Sequence, residues 1–285
     1  MRCPAKINLF LKVTGKRPDG YHTLETLFLP FDGVADSLTL ADGPAGVRCT
    51  VDGAEFPDNL VCRAAEAYAE RAGLDPAWDF ALEKHIPIAA GLGGGSSDAA
   101  GALKLLNERY GRFSADELAG IAVGIGADVP FFLAPRPAWA AGIGEELRPL
   151  AAVPDLPLVV VNPGFPVSAK WAYSHLDPAH IGPADTVRTA ALETALTSGN
   201  ARGVAAALHN ELEYALYDKF PLLGILREFM LAHGARGVIV SGSGSSLFGV
   251  CADFAAGHAL ASALAEAFAE AGLRIFEAGA ARPEA

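Results

Sequence analysis

Residues 87–97 read PIAAGLGGGSS, with four glycines in five positions, Gly91 and Gly93 to Gly95, before Ser96, Ser97 and Asp98. Glycine loses more backbone freedom on ordering than any other residue, so a run of it implies work for the bare backbone. Bare backbone lets amide N–H groups converge on one point, and a helix start adds partial positive charge. A pyrophosphate or triphosphate is the ligand that such an arrangement suits. Two common phosphate motifs are absent. A P-loop needs a lysine after its last glycine, and the one Gly-Lys pair here is Gly15–Lys16, in another segment. A G-x-G-x-x-G fingerprint would need glycine at 96, where Ser96 stands. The expected phosphate loop is Pro87, Ile88, Ala89, Ala90, Gly91, Leu92, Gly93, Gly94, Gly95, Ser96 and Ser97, and a β-branched side chain at Gly94 is expected to occupy the place of a phosphate oxygen. A turn that only lets a strand and a helix pack closely would use similar residues, and both readings stay open here.

Lys6 and Asn8 alternate with Ile7, Leu9 and Leu11, so the strand can pack one face and offer the other to a ligand. Asp128 stands between Gly126 and Pro130, where a lone acid can take a hydroxyl proton or cap a helix. Tyr21 and His22 follow the turn GKRPDG, and Tyr173 lies far along the chain; such rings can bind a base or fill a core. Gly242, Ser243, Gly244, Ser245 and Ser246 form a second small-residue turn, a cleft lining or a plain hairpin. Cys3, Cys49, Cys62 and Cys251 make no C-x-x-C pair and have no histidine at ligand spacing. They read as reduced thiols, with no protein metal site.

The elements that must hold these residues follow from periodicity. Residues 6–13 form a strand, YHTLETLFLPF returns, and DSLTLAD and GVRCTVDG are two further strands. Asp58–Asn59 start a helix with apolar face Leu60, Val61, Ala64, Ala65 and Tyr68, stopped by Gly73. WDFALEKHIPI is a strand running into the glycine loop; Ser96 or Ser97 caps the next helix, which ends at Gly111. Ser114-x-x-Glu117 is a capping box for a helix stopping near Gly124. AWAAGIGEELRPL reads as a strand and a turn. The Pro-rich AAVPDLP places a domain boundary near 153, giving domains 1–152 and 153–285. Then come the strand LVVVNP, helices at 185–198, 200–216 (capped by Asn200) and 221–232 (Pro221 in its first turn), a strand–glycine turn–strand unit, a helix from Asp253, and the strand LRIFEA. Strand and helix do not alternate regularly enough for a doubly wound sheet, so the class is α+β in two domains.

PIAAGLGGGSSDAA resembles the P-x-x-x-G-L-G-[SG]-S-S signature of the GHMP small-molecule kinases. AKINLFLKVTGKRPDGYHTLETLF, GIGADVPFF and VSGSGSSLF, in that order, are similar to a branch of that family acting on a cytidine-diphosphate-linked methylerythritol in non-mevalonate isoprenoid synthesis. The resemblance runs from about residue 4 to residue 280 and implies a two-domain GHMP kinase fold with its active site in the cleft between the domains. It implies ATP with Mg²⁺, the ion held mainly by phosphate oxygens and water, with Ser97 a candidate ligand. It also implies Lys6 at the transferring phosphate, Asp128 as general base, and Lys84 near the nucleotide. Asn8, Tyr21, His22, Tyr173, Gly242, Ser243 and Gly244 are implied at the acceptor, Tyr21 and His22 holding the cytosine and Tyr173 stacking on it from the second domain. Ala169 stands where many relatives carry threonine, and Asp98 and His85 receive no role. Other GHMP kinases, for mevalonate, homoserine or a sugar, remain the alternative; a nucleotide sensor without turnover would need neither Lys6 nor Asp128.

Composition bounds these readings. With 285 residues and 51% hydrophobic content, the chain can bury a sizeable core. The net charge of −11 argues against nucleic acid or an anionic membrane as a partner. No run reaches the ~18 apolar residues of a membrane span, and the start does not look like a secretory signal. The expected protein is cytoplasmic, a monomer or weak homodimer, whose partners are ATP and a small-molecule acceptor.

Overall fold

The computed structural model describes every residue except 57, 58, 152, 184 and 279–285. Asp58, expected at a helix start, and residue 152, at the expected domain cut, lie outside the described residues. Contacts divide the chain into two compact units: Met1–Ala5, Val34–Ile88 and Gly93–Pro135 form the first, and Lys6–Gly33, Ala89–Leu92 and Arg136–Ala285 the second. The units interleave rather than follow a single cut at 152/153. Two long strands explain this, since β1 (Arg2–Lys16) and β2 (His22–Asp42) each give residues to both units. The two strands expected at 21–31 and 36–42 are thus one. Gly33 lies within β2, and a Cβ there would meet Glu277 O at 2.4 Å.

The first unit adds β3 (Gly46–Val51), β4 (Ala54–Glu55), α1 (Leu60–Ala72), β5 (Ala77–Glu83), α2 (Gly94–Tyr110), α3 (Ala115–Ile125) and α4 (Val129–Leu133). β5 runs antiparallel to β2 from Ser37↔Glu83 to Asp42↔Trp78, and parallel to β3. α1 begins where the Asn59 side chain accepts from Cys62 N and ends on left-handed Gly73, with Val61, Ala64, Ala65 and Tyr68 buried. The Ser114–Glu117 capping box of α3 is present; α3 runs on to Ile125. α2 departs from expectation. It starts at Gly94, and its N-cap is Gly93 at φ 72° with no side-chain cap, so the serines sit inside the helix. The left-handed turn at Gly93, open to glycine at little cost, starts the helix earlier.

The second unit adds β6 (Ala138–Ala141), β7 (Glu146–Pro149), β8 (Leu158–Asn162), α5 (Ala169–Ser174), α6 (Thr186–Thr197), α7 (Ala201–Ala207), β9 (His209–Asn210), α8 (Glu213–Lys219), α9 (Pro221–Ala232), β10 (Gly237–Val240), β11 (Leu247–Val250), α10 (Phe254–Ala267) and β12 (Arg274–Glu277). β10-β11-β8-β12 form one antiparallel sheet. Val159, Val161, Leu216, Leu226, Met230, Leu260 and Leu264 belong to its core cluster. The single helix expected over 200–216 is three elements, because the chain turns extended at Leu208 and β9 pairs in parallel with β1, Phe10 opposite His209. α5 escaped the sequence reading because six residues are too few to show a helical period.

Candidate active site

β1 sets the chemistry of the second unit. Lys6 and Asn8 are both buried on one face of the strand. The Lys6 ammonium donates to Asn8 Oδ1 at 2.7 Å and to Gly91 O at 3.2 Å, and lies 5.3 Å from the Phe28 ring centre. Asn8 is itself oriented, because its Nδ2 donates to Thr26 Oγ1 at 2.8 Å and Thr26 donates to Phe10 O. Lys12, further along the same face, differs in kind: it is paired with the buried Glu211 carboxylate at 2.5 Å.

The glycine loop is tied down by its carbonyls. Ala89 O accepts from Val167 N, Ala90 O from Ser246 N, Gly91 O from Ser241 Oγ at 2.9 Å as well as from Lys6, and Leu92 O from Lys6 N. Carbonyl and amide of a trans peptide point in opposite directions, so the N–H groups of Gly91, Leu92 and Gly93 face away from these anchors. Gly91 (φ 79°) and Ala89 (φ 50°) hold left-handed conformations. A Cβ on Gly91 would lie 1.9 Å from Ser241 O. At the start of α2 the amides of Gly94, Gly95 and Ser96 have no intrahelical acceptor, as at any helix N-terminus. A side chain at Gly94 would run into Ile86 (3.0 Å) and the Lys84 amine (3.2 Å), so it is packed inward, not toward open ligand space as the sequence suggested.

Beneath that helix start, the Lys84 ammonium joins Asp36 and, at 2.8 Å, Asp98. Asp36 is fully buried, and its other oxygen accepts from His85 N (2.6 Å) and Ile86 N (2.8 Å). Burial alone would lower the Lys84 pKa, but the Asp98 and Asp36 carboxylates raise it. Burial, countered by Lys84 and reinforced by Asp36, pushes Asp98 up to about 7. The Lys84 charge is therefore engaged by carboxylates in the first unit, where it fixes β5 and α2 around the loop. Ser97 Oγ and Asp98 Oδ1 are buried and have no hydrogen-bond partner. Among the described residues no three His, Cys, Asp or Glu side chains form a metal cage. The orphaned Ser97 Oγ at the helix start would suit a cation brought in on a ligand's own oxygens.

Asp128 occupies the N-cap position of α4 without making a side-chain cap hydrogen bond. His22 and Tyr173 stack, ring centres 5.4 Å apart and planes 17° from parallel, and both belong to the second unit. Burial, and then the Lys16 charge, lowers the His22 pKa, which keeps the ring neutral near pH 7. Tyr21 beside it is 62% exposed. Ala169 is the first residue of α5, whose cap is the Ser168 side chain. Gly242 faces Asn8 and Lys6, whereas Ser245 and Ser246 are buried acceptors of Asn162 Nδ2. The sequence reading missed Thr26, Asp36, Ser241 and Asn210. All four are buried polar residues; for Thr26 and Asp36, set among apolar neighbours, that mismatch was the available signal.

Models of two families match: GHMP kinases N terminal domain over residues 59–135 and GHMP kinases C terminal over residues 192–270. The 4-diphosphocytidyl-2-C-methyl-D-erythritol kinase of Syntrophotalea carbinolica is 43% identical over 257 residues, covering 88% of each chain. A crystal structure of 4-(cytidine 5'-diphospho)-2C-methyl-D-erythritol kinase superposes with a TM-score of 0.81 at 40% identity, covering 99% of both chains. A homoserine kinase from Cytophaga hutchinsonii shares the fold, with a TM-score of 0.76 at 19% identity over 97% of this chain and 93% of its own. The chain therefore belongs to the GHMP kinases, and within them to the 4-diphosphocytidyl-2-C-methyl-D-erythritol kinase family.

Proposed function

We propose that the chain transfers the γ-phosphate of ATP to the 2-hydroxyl of 4-diphosphocytidyl-2-C-methyl-D-erythritol, a step of non-mevalonate isoprenoid precursor synthesis. The observation that carries the reading is the buried Lys6 ammonium held 3.2 Å from the glycine-loop carbonyl of Gly91, with Asn8 beside it. Phosphoryl transfer asks mainly for alignment and charge stabilisation. The amides of residues 91–96 bind the β- and γ-phosphates, and Lys6 offsets charge on the group in transit. Asp128 takes the hydroxyl proton. Ser97 Oγ would be the side-chain ligand of an Mg²⁺ ion brought in with ATP and held otherwise by phosphate oxygens and water, and that ion would supply neutralisation of phosphate charge. Pro87 and Ile88, the latter 73% exposed, meet the nucleotide at the loop entrance. Lys84 acts on ATP through the shape of the loop.

His22 and Tyr173 form the platform for the cytosine, with Tyr21 as a further aromatic face, and neutral His22 accepts a hydrogen bond from the exocyclic amine. Gly242, Ser243 and Gly244 line the acceptor side. The enzyme works in the cytoplasm as a monomer or weak homodimer; its four cysteines are free and buried, and no described helix is long and apolar enough to cross a membrane. Inhibition by CMP tests the base platform. CMP competes with the acceptor and not with ATP; no inhibition at millimolar CMP would remove the platform from the account.

A further inference from the structure

Asn210 lies outside every motif that points to phosphoryl transfer. It is buried at the end of β9, and its side chain is saturated with backbone partners. Nδ2 donates to Val240 O and to Gly242 O, each at 2.8 Å, and Oδ1 accepts from Leu212 N at 3.0 Å. One turn on, Glu213 accepts from Val240 N at 2.9 Å. The segment 210–213 thus grips the backbone of 240–242 by both its carbonyls and its amide.

That gripped backbone stands against the Lys6 ammonium. Ser241 Oγ donates to Gly91 O at 2.9 Å and accepts from Asn8 N at 3.3 Å. A Cβ on Gly242 would lie 3.1 Å from Asn8 Oδ1 and 3.5 Å from Lys6 Nζ. Gly91 O and Asn8 Oδ1 are both acceptors of the Lys6 ammonium. Fixing 240–242 therefore fixes the two oxygens that aim it. We propose that Asn210 is a positioning residue for phosphoryl transfer, holding the Ser241–Gly242 backbone as the wall against which Lys6 and Asn8 are set. The role rests on the kinase reading above, and Asn210 acts without touching substrate.

A merely structural Asn210 would also be costly to remove, because two buried carbonyls would lose their donors. The test therefore separates kcat from stability. In the full chain, Asn210→Ala lowers kcat per folded, ATP-binding molecule by about 10- to 100-fold, the scale of a small misplacement of a catalytic group, with KM for ATP and acceptor changed less than about threefold. In a Lys6→Met background the same substitution lowers kcat by less than about twofold, since there is no ammonium left to aim. Asn210→Asp keeps the acceptor for Leu212 N and sets a buried carboxyl against two carbonyls, which raises its pKa. Its protonated form restores one donor, so its kcat relative to wild type rises as pH falls from 8 to 6. The surrounding titratable groups are Glu213 and Tyr217 on α8, His209 on β9, Glu211, and Lys6 and Lys12 on β1; all are shared with wild type, which is assayed at each pH. Unchanged kcat with a lowered Tm, an undiminished loss in the Lys6→Met background, or a pH-independent Asp variant each overturns the role. A wild-type chain with no turnover overturns the kinase reading instead, and this role with it.

Discussion

Lys6 and Lys12 share one face of β1, and their partners separate their tasks: Lys12 is bound to a carboxylate, while Lys6 is aimed by the Asn8 amide and the Gly91 carbonyl. A buried ammonium aimed by two oxygens acts where charge develops, and more strongly than in water. Lys6→Met is expected to lower kcat sharply and to change ATP affinity only modestly; a collapse of ATP binding with intact turnover would reassign Lys6 as a nucleotide anchor. Asp128→Asn keeps the acid's shape and removes its basicity. Its kcat is expected to fall by about 10²–10⁴, the usual worth of one general base, with the melting temperature little changed. Turnover within a few-fold of wild type would take Asp128 out of the mechanism. The roles of Lys6 and Asp128 came from the family resemblance, since taken alone the one reads as readily as a surface lysine and the other as a helix cap; only the polar strand face that carries Lys6 was legible. Asn210 and Ser241 were not, because the first stood in a stretch with helical spacing and the second in a turn valued for its glycines.

At the scale of elements, the glycine loop is held by its carbonyls and the helix start by the Lys84 ammonium between the Asp36 and Asp98 carboxylates. Gly91→Ala forces a Cβ onto Ser241 O at a φ of 79°, so the loop must shift. Strain of about 1–3 kcal/mol corresponds to an ATP Kd raised roughly 5- to 150-fold, to be read by calorimetry. An unchanged Kd would return the loop to a packing role. Asp98 gives a pH signature. Its carboxyl takes a proton more readily folded, where burial raises its pKa to about 7, than unfolded, near 3.8. Unfolding between those values releases the proton, so this group's contribution to stability declines as pH rises from about 4 to about 7. Asp98→Asn removes that slope, and urea midpoints at pH 5 and pH 7 measure it; an unchanged slope would contradict the assignment. Most element boundaries followed from caps and periodicity, as at Asn59, Gly73, Gly111 and Ser114. The misread ones have tertiary causes: β1 recruits His209–Asn210 from an expected helix, and packed Gly33 lets β2 run on.

For the whole molecule, a net charge of −11 means that a polyanionic ligand is not drawn in by a global field. In the proposed function local amides and Lys6 do that work, and the glycine run is the sequence feature that suggests it. The division into units was less legible, since no feature of a linear sequence shows that residues 6–33 pack with the chain beyond 136. Acceptor choice also belongs to this scale, because it joins the Lys6 end of β1 to the His22–Tyr173 stack. Losing one base stack is worth about 1–3 kcal/mol, so Tyr173→Ala is expected to raise the acceptor KM roughly 5- to 150-fold, with the KM for ATP nearly unchanged. The most direct measurement is coupled ADP release by the wild-type chain with each of three acceptors. One ADP is expected per 4-diphosphocytidyl-2-C-methyl-D-erythritol consumed, and only background rates with mevalonate and homoserine. Turnover of mevalonate or homoserine, with the cytidine-linked acceptor inert, would contradict the proposed function.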